Sequence, residues 1–380
     1  RQLVAEIDVN ILYRKFTRFY GKKIPHFTQL NELIKAISPE TMERVNEAIV
    51  KIGIKKKVED GKAIRLDTTV SQTDIAWPVD ARLLNDSVRV MSRLLERLRE
   101  VAPELAFVYH NHTRRAKKRA YQIVMSKGKN IERRRLGLYQ DLLKTQRQVR
   151  GYLEEARAAL EANPLVANRL EALALAVELA NILPLAEQVY HQAYRRELNG
   201  EKVPASEKLV SIFETHTDII CRGKKGSKVE FGHKLNFATG RSGLITHYDV
   251  LEGNPGDSDV LLPTLDEHIR LFGRAPQKLA ADRRYHSKAN EEAAAAKGVA
   301  QVALPKPGYL SAVRKSLQKA RWFRALLRWR GGIEGCLSTL LRSFGLARCL
   351  WKGEHSFKTY AGLSVLTYNL RLLAGHLTHS

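Results

Sequence analysis

The sequence predicts an α/β fold, a mixed sheet flanked by helices, with one large all-helical insertion after the first strand. Three observations carry this. Two short apolar runs with strand character close on acids, at Ile64-Arg65-Leu66-Asp67-Thr68-Thr69 and Lys278-Leu279-Ala280-Ala281-Asp282. Between them lies a long stretch of helical period, and residues 229–251 alternate like the two arms of a hairpin.

Residues 28–53 carry Leu30, Leu33, Ile34, Ile37, Val45, Ile49 and Val50 at helical intervals, with Ser38-Pro39 as a helix end and restart, so residues 1–60 read as a helical N-terminal unit. Residues 62–68 form a short strand. The period then changes, because Leu84, Val88, Met91, Leu95 and Leu98 recur every three or four residues. A long stripe runs from Leu136 through Tyr139, Leu142, Gln146, Val149, Leu153 and Ala156 to Leu160, and Asn163-Pro164 ends it. Leu170, Leu173, Val177 and Ile182 continue a second helix up to Pro184, which makes 81–205 the helical insertion. Its stripe reads as a local hairpin of helices closing on itself, with oligomer contacts as the other use.

Val229, Phe231, His233, Leu235 and Phe237 alternate, Gly240 to Gly243 supplies a turn, and Leu244 to Leu251 returns. A helix at 258–272, the strand ending at Asp282, a helix at 288–297 and a strand at Val299–Leu304 follow. The core is then 61–80 with 206–350, and 351–380 is a terminal helix.

Composition narrows the function. With 44% hydrophobic residues the chain buries a core, and 64 Lys and Arg against 40 Asp and Glu give a net charge of +24. A polyanion, nucleic acid first, is the partner such a field suits. From Tyr109 to Arg150 there are 13 basic residues against 2 acids, and from Lys306 to Leu350 there are 10 against Glu334 alone. Arg114, Arg115, Lys117, Lys118, Arg119, Arg133, Arg134 and Arg135 in the first segment, and Arg330 and Arg342 in the second, are candidate DNA contacts; a solvated helix face explains the first segment equally well. Cys221, Cys336 and Cys349 lack zinc-ligand spacing, and a reducing cytoplasm is their simplest setting. No apolar run reads as a membrane span; the most apolar stretch, Ala361 to Leu377, reads as a packed helix. The chain begins with Arg, so an upstream DNA-binding segment is expected.

Phosphodiesters resist cleavage because the nucleophile approaches an anion and the leaving alkoxide is poor; two divalent ions held by a few carboxylates answer both difficulties. Asp67 and Asp282 at the ends of neighbouring strands, with Glu334 reaching in from a helix, suit such a site, Asp67 bridging the ions. Arg330, four residues before Glu334, either contacts a phosphate or pairs with Glu334. Trp322 and Trp329 either stack on bases or pack. His216 as a phosphate contact and Asp218 as a substitute ligand are weighed against capping and turn chemistry, which is the favoured reading; Asp249, Asp257 and Asp259 are further acids, and Asn254-Pro255-Gly256-Asp257 is turn-like. His110, Asn111 and His112 resemble a metal tract only superficially.

The strings Leu66-Asp67-Thr68-Thr69-Val70, Phe213-Glu214-Thr215-His216-Thr217-Asp218, Glu230-Phe231-Gly232-His233-Lys234, Leu251-Glu252-Gly253-Asn254-Pro255, Asp282-Arg283 and Gly332-Ile333-Glu334-Gly335 resemble, in order, those of insertion-sequence DDE transposases of the ISNCY type, from about residue 8 to 375. The resemblance implies a ribonuclease H-like catalytic domain, two Mg²⁺ or Mn²⁺ ions held by Asp67, Asp282 and Glu334, and Arg330 as the Arg of the signature around the glutamate. It also implies double-stranded DNA, both element ends and target, as the partner, a homo-oligomer on DNA, and a place at the bacterial nucleoid. Three positions depart from that pattern: Leu327 where Tyr is usual, Leu341 where Lys is usual, and Arg284 where Gly is common. They motivate an alternative, a transposase-derived DNA-binding protein without catalysis. A nuclease that cuts without joining shares the same acids.

Overall fold

The computed structural model describes residues 1–221 and 229–378. In chain order the elements are α1 (Gln2–Val9), α2 (Ile11–Phe16), α3 (Phe27–Ala36), α4 (Pro39–Lys55), β1 (Ala63–Thr73), α5 (Asp80–Val101), α6 (Thr113–Val124), α7 (Ile131–Glu161), α8 (Pro164–Ala167) and α9 (Leu170–Ala193). There follow β2 (Asp218–Cys221), β3 (Val229–Thr239), β4 (Ile245–Val250), α10 (Leu261–Phe272), β5 (Lys278–Ala280), α11 (Lys288–Ala296), β6 (Gln301–Ala303), α12 (Ala312–Lys319), α13 (Arg321–Ser343), β7 (Arg348–Cys349) and α14 (Glu354–Thr378). The chain divides into one unit of Arg1–Asp74 with His233–Ser380, and a second of Ile75–Gly232.

The fold is mixed α/β with a mixed sheet flanked by helices, the ribonuclease H-like arrangement expected. The strand order is β2-β3-β1-β5-β6, with β4 on β3 and β7 on β1. β1, β5 and β6 run parallel, with Ile64 opposite Leu279 and Leu279 opposite Val302, whereas β3 and β4 form the antiparallel hairpin. Alternation along β1 sorts its side chains. Ile64 and Leu66 enter one core with Leu261, Leu265, Leu279, Tyr285 and Ala294. The opposite face of the sheet meets α13 and α14, where Phe237, Ile333, Leu340, Ala361 and Val365 pack, and Phe323 and Leu326 close on Ala280 and Ala303.

β1 is longer than the sequence suggested, 11 residues rather than seven, because Thr68, Thr69, Val70 and Thr73 are β-branched and β7 pairs with its far end at Gln72 and Thr73. Asp67 therefore lies within the strand, not at its end. Asp282 sits two residues beyond β5 and caps a short turn at Arg283–Tyr285. Buried Asn369, which looked like a break in an apolar run, ties α14 to its neighbours: Oδ1 accepts from the Ile245 amide at 2.9 Å and Nδ2 donates to Asn46 Oδ1 at 2.6 Å.

The second unit packs α5, α6, α7 and α9 around Leu84, Val88, Met91, Leu95, Leu98, Leu142, Val149, Leu153 and Leu179. The stripes read from the sequence on α5 and, from Tyr139 to Leu160, on α7 are its inner faces, whereas on α9 only Ile182 of the expected stripe is buried: Leu170, Leu173 and Val177 are exposed, and Ala172, Leu175, Leu179, Ala186 and Val189 face inward instead. α9 does not stop before Pro184 but runs through it. Proline removes one backbone hydrogen bond there, and burial of Ile182, Ala186 and Val189 on the inner face offsets the loss. Among the described residues one helical stretch, Leu170–Leu198, is long and apolar enough to cross a membrane, which corrects the expectation that none is. Within it Ala172, Leu175, Leu179 and Ala186 are buried in this helical core, whereas Leu170, Leu173 and Val177 are exposed.

Candidate active site

All three acids belong to the first unit. β1 presents Asp67 on the face turned to α13, and α13 carries Arg330 and Glu334 one helical turn apart. Arg330 Nη1 donates to Asp67 Oδ2 at 3.2 Å and its Nη2 donates to Glu334 Oε1 at 3.0 Å, so one guanidinium bridges two of the three carboxylates. The side chains of Asp67 and Arg330 are 19% and 17% exposed, and Glu334 is 65% exposed. Arg330 is thus the partner of Glu334, one of the two roles expected, and of Asp67 as well. Asp67 Oδ1 accepts from the Thr68 amide at 2.9 Å, and Asp282 Oδ1 accepts from the Arg283 amide at 2.7 Å.

The electrostatics tie Asp282 to the same place. Burial pushes the Asp67 carboxyl from its ordinary 3.8 up to about 6; Arg330 and the Thr68 amide pull the other way, and the charges of Asp282 and Glu334 push it further up. A cluster of like charges around a mostly buried member with a raised pKa makes these residues candidates for a functional site.

Behind Asp67 lies a polar network. Thr68 Oγ1 donates to Asp257 Oδ1 at 3.1 Å, and Lys234 Nζ pairs with the same oxygen at 2.5 Å and donates to the Pro255 carbonyl at 2.6 Å. Tyr285 Oη donates to Asn236 Oδ1 at 3.2 Å, and Asn236 Nδ2 donates to Thr264 Oγ1 at 2.7 Å. Burial, with the charges of Asp257, Asp67 and Asp282 behind it, keeps the Tyr285 hydroxyl protonated. Asp257 is buried and ion-paired beside β1, more than the turn chemistry that Asn254-Pro255-Gly256-Asp257 suggested. Lys234, Tyr285 and Arg65 were missed; only the alternation of β1, which puts Arg65 on the same face as Asp67, could have signalled any of them.

The donor set suits hard divalent cations, since carboxylate oxygens are what Mg²⁺ and Mn²⁺ prefer. Among the described residues no three His, Cys, Asp or Glu side chains are gathered closely enough to hold a metal ion as they stand. Asp67 and Glu334 would be the residues to hold such a cation together, and the Arg330 guanidinium now paired with both would then have to withdraw.

The remaining candidates separate. Arg115 and Arg119 both pair with Asp141, and Arg135 faces Tyr139 and Glu197, all within the helical unit. Arg114, Lys117, Lys118, Arg133 and Arg134 are exposed, as is Arg342 on α13. Trp322 and Trp329 pack against the core of Phe323 and Leu326, as does Leu327, and Leu341 packs beside Ile333 and Leu337. His216 pairs with Glu214 at 2.9 Å and Asp218 opens β2, both in the second unit. Asn111 Oδ1 accepts from the Thr113 amide at the start of α6, and His112 stacks on Tyr152.

No curated protein and no solved structure matches the chain. Residues 208–370 match the model of the family described as Transposase DDE domain, less than half of the chain but the part that holds Asp282 and Glu334. That match supports a DDE transposase, a family that acts on DNA and generally uses divalent metal ions.

Proposed function

We propose that the protein is a transposase of the ISNCY type that cuts DNA at the ends of an insertion sequence and joins those ends to target DNA. Asp67, Asp282 and Glu334 are the residues that would hold two Mg²⁺ or Mn²⁺ ions, which supply an activated water or 3′-hydroxyl and a stabilised leaving oxygen. The observation that carries this reading is the meeting of Asp67 and Glu334 on one guanidinium, with the charge of Asp282 acting on the same carboxyl, inside a fold matched in part by the transposase DDE domain.

The chain's own groups have separate tasks. Thr68, Asp257 and Lys234 hold β1 and so the direction of Asp67. Arg330, released from the carboxylates when cations bind, is free to donate to a phosphate oxygen of the DNA. Arg114, Lys117, Lys118, Arg133, Arg134 and Arg342 neutralise the DNA backbone, whereas Arg115, Arg119 and Arg135 stiffen the helical unit. A homo-oligomer assembled on two DNA ends, at the bacterial nucleoid, is the working form.

The test is incubation with supercoiled DNA bearing the flanking repeats of the encoding element. Mg²⁺-dependent nicks at the repeat ends, followed by joined products, are expected. Nicks without joining would leave a nuclease, and binding without nicks would leave a DNA-binding protein.

A further inference from the structure

Arg65 stands two residues before Asp67, so both side chains leave β1 on the face turned to α13 while Ile64 and Leu66 enter the opposite core. Only 7% of Arg65 is exposed, and among the described residues it makes no ion pair with a carboxylate. Its Nε donates to Thr239 Oγ1 at 2.8 Å, its Nη1 donates to the Trp329 carbonyl at 2.6 Å, and its guanidinium carbon lies 4.9 Å from the centre of the Trp329 ring. Burying an unpaired charge costs stability, and a hydrophobic side chain of similar size would usually do as well or better. The Arg is therefore a poor choice for stability and a good one for geometry, because a planar fork stacked on an indole fixes direction as an ammonium cannot.

Gly332 completes the arrangement. A Cβ at that position would lie 2.5 Å from Arg65 Nη1, so the guanidinium fills the gap that the missing side chain leaves on α13. The carbonyl it grips belongs to the residue immediately before Arg330, one turn ahead of Glu334.

We propose that Arg65 and Gly332 form a register lock in which the Arg65 guanidinium, seated in the Gly332 gap, fixes α13 along β1 so that Arg330 and Glu334 meet Asp67. Arg65 is a positioning residue, and its consequence for metal binding rests on the function proposed above. The side chains of β1 supply the grip two residues from the acid they position, so any slip of α13 is felt directly at the carboxylates.

The experiment compares wild type, R65M, R65K, G332A and the R65M/G332A double variant by hydrogen exchange of α13 and by Mn²⁺ binding to the DNA-free protein, with thermal unfolding in parallel. R65M and G332A should exchange amides 330–336 on the order of tenfold faster and bind Mn²⁺ about 10- to 100-fold more weakly, with R65M melting no lower than wild type. R65K should recover part of both. In the double variant the effects should not add, since either change alone, by removing the guanidinium or by filling its seat with a methyl group, unseats the same lock. Unchanged α13 exchange, additive effects, or loosened α13 with wild-type Mn²⁺ affinity would overturn the lock. A wild-type chain that takes up no Mn²⁺ refutes the metal reading instead, and the exchange rates then decide the lock alone.

Discussion

Replacing Asp67 by Asn stabilises the protein above neutral pH in the absence of divalent metal. Burial holds the native carboxyl at about 6 where its ordinary value is 3.8, so the native state binds this proton more tightly than the unfolded chain does. Stability linked to a raised carboxyl is complete below pH 3.8, falls as pH rises to about 6, and stays reduced above that. Asn resembles the protonated acid and escapes the fall. The rise corresponds to about 3 kcal/mol, and the 19% of the side chain left in solvent lowers this to about 2 to 3 kcal/mol. For a unit of this size the melting temperature of Asp67→Asn should exceed wild type by roughly 5–10 °C at pH 8. The gap should close below about pH 4. Thermal unfolding in EDTA from pH 4 to 8 measures it. A variant that melts at or below the wild-type temperature at pH 8 would refute the assignment of Asp67 as a strained, half-buried carboxylate. Added Mn²⁺ should then raise only the wild-type curve.

Arg330→Gln removes the cation that lowers the Asp67 carboxyl and occupies Glu334, so half-maximal Mn²⁺ binding should move to higher pH by about one unit or more, with affinity at pH 8 increased; an unchanged midpoint in a spectroscopic Mn²⁺ titration would dismiss Arg330 as their counter-charge. Arg114, Lys117 and Lys118 changed together to Ala should flatten the salt dependence of DNA binding by about 2 to 3 in logarithmic slope with no loss of stability. Arg115→Ala should instead lower the melting temperature of the helical unit, because it pairs with Asp141; equal slopes for both sets would erase the distinction. Glu59, 2% exposed, accepts from the amides of Asp60, Gly61 and Ser242 at 3.0, 3.1 and 3.0 Å. Glu59→Ala leaves these donors unsatisfied and should cost about 2 to 3 kcal/mol in denaturant unfolding without altering Mn²⁺ affinity.

Local pattern carried much of this molecule. The helices of the second unit were legible because Leu84, Val88, Met91, Leu95 and Leu98 bury one face of α5, and the hairpin of β3 and β4 because its alternation flanks a glycine turn. Boundaries were less so. Asp67 was expected to end its strand, but β7, 275 residues beyond, pairs with the far end of β1 and prolongs it. Pro184 was expected to end α9, but tertiary burial outweighs one lost hydrogen bond. The three acids were visible as strings, whereas the bridge from Arg330 to Asp67 spans 263 residues and the pair of Lys234 with Asp257 depends on two loops folding beside β1. Such contacts leave no periodic trace, and Arg65 in particular looks like any strand Arg until its burial against Trp329 is seen.

The central claim is that Asp67, Asp282 and Glu334 share divalent cations once Arg330 gives way. A crystal soaked in Mn²⁺ and measured for anomalous scattering tests it most directly. The account predicts anomalous peaks about 2.1 Å from the carboxylate oxygens of Asp67 and Asp282, a ligand from Glu334, and the Arg330 guanidinium withdrawn from both partners. Mn²⁺ bound only elsewhere, such as at the acidic cavity lined by Glu43, Glu47, Asp249 and Glu267, with Arg330 still bridging Asp67 and Glu334, would contradict it.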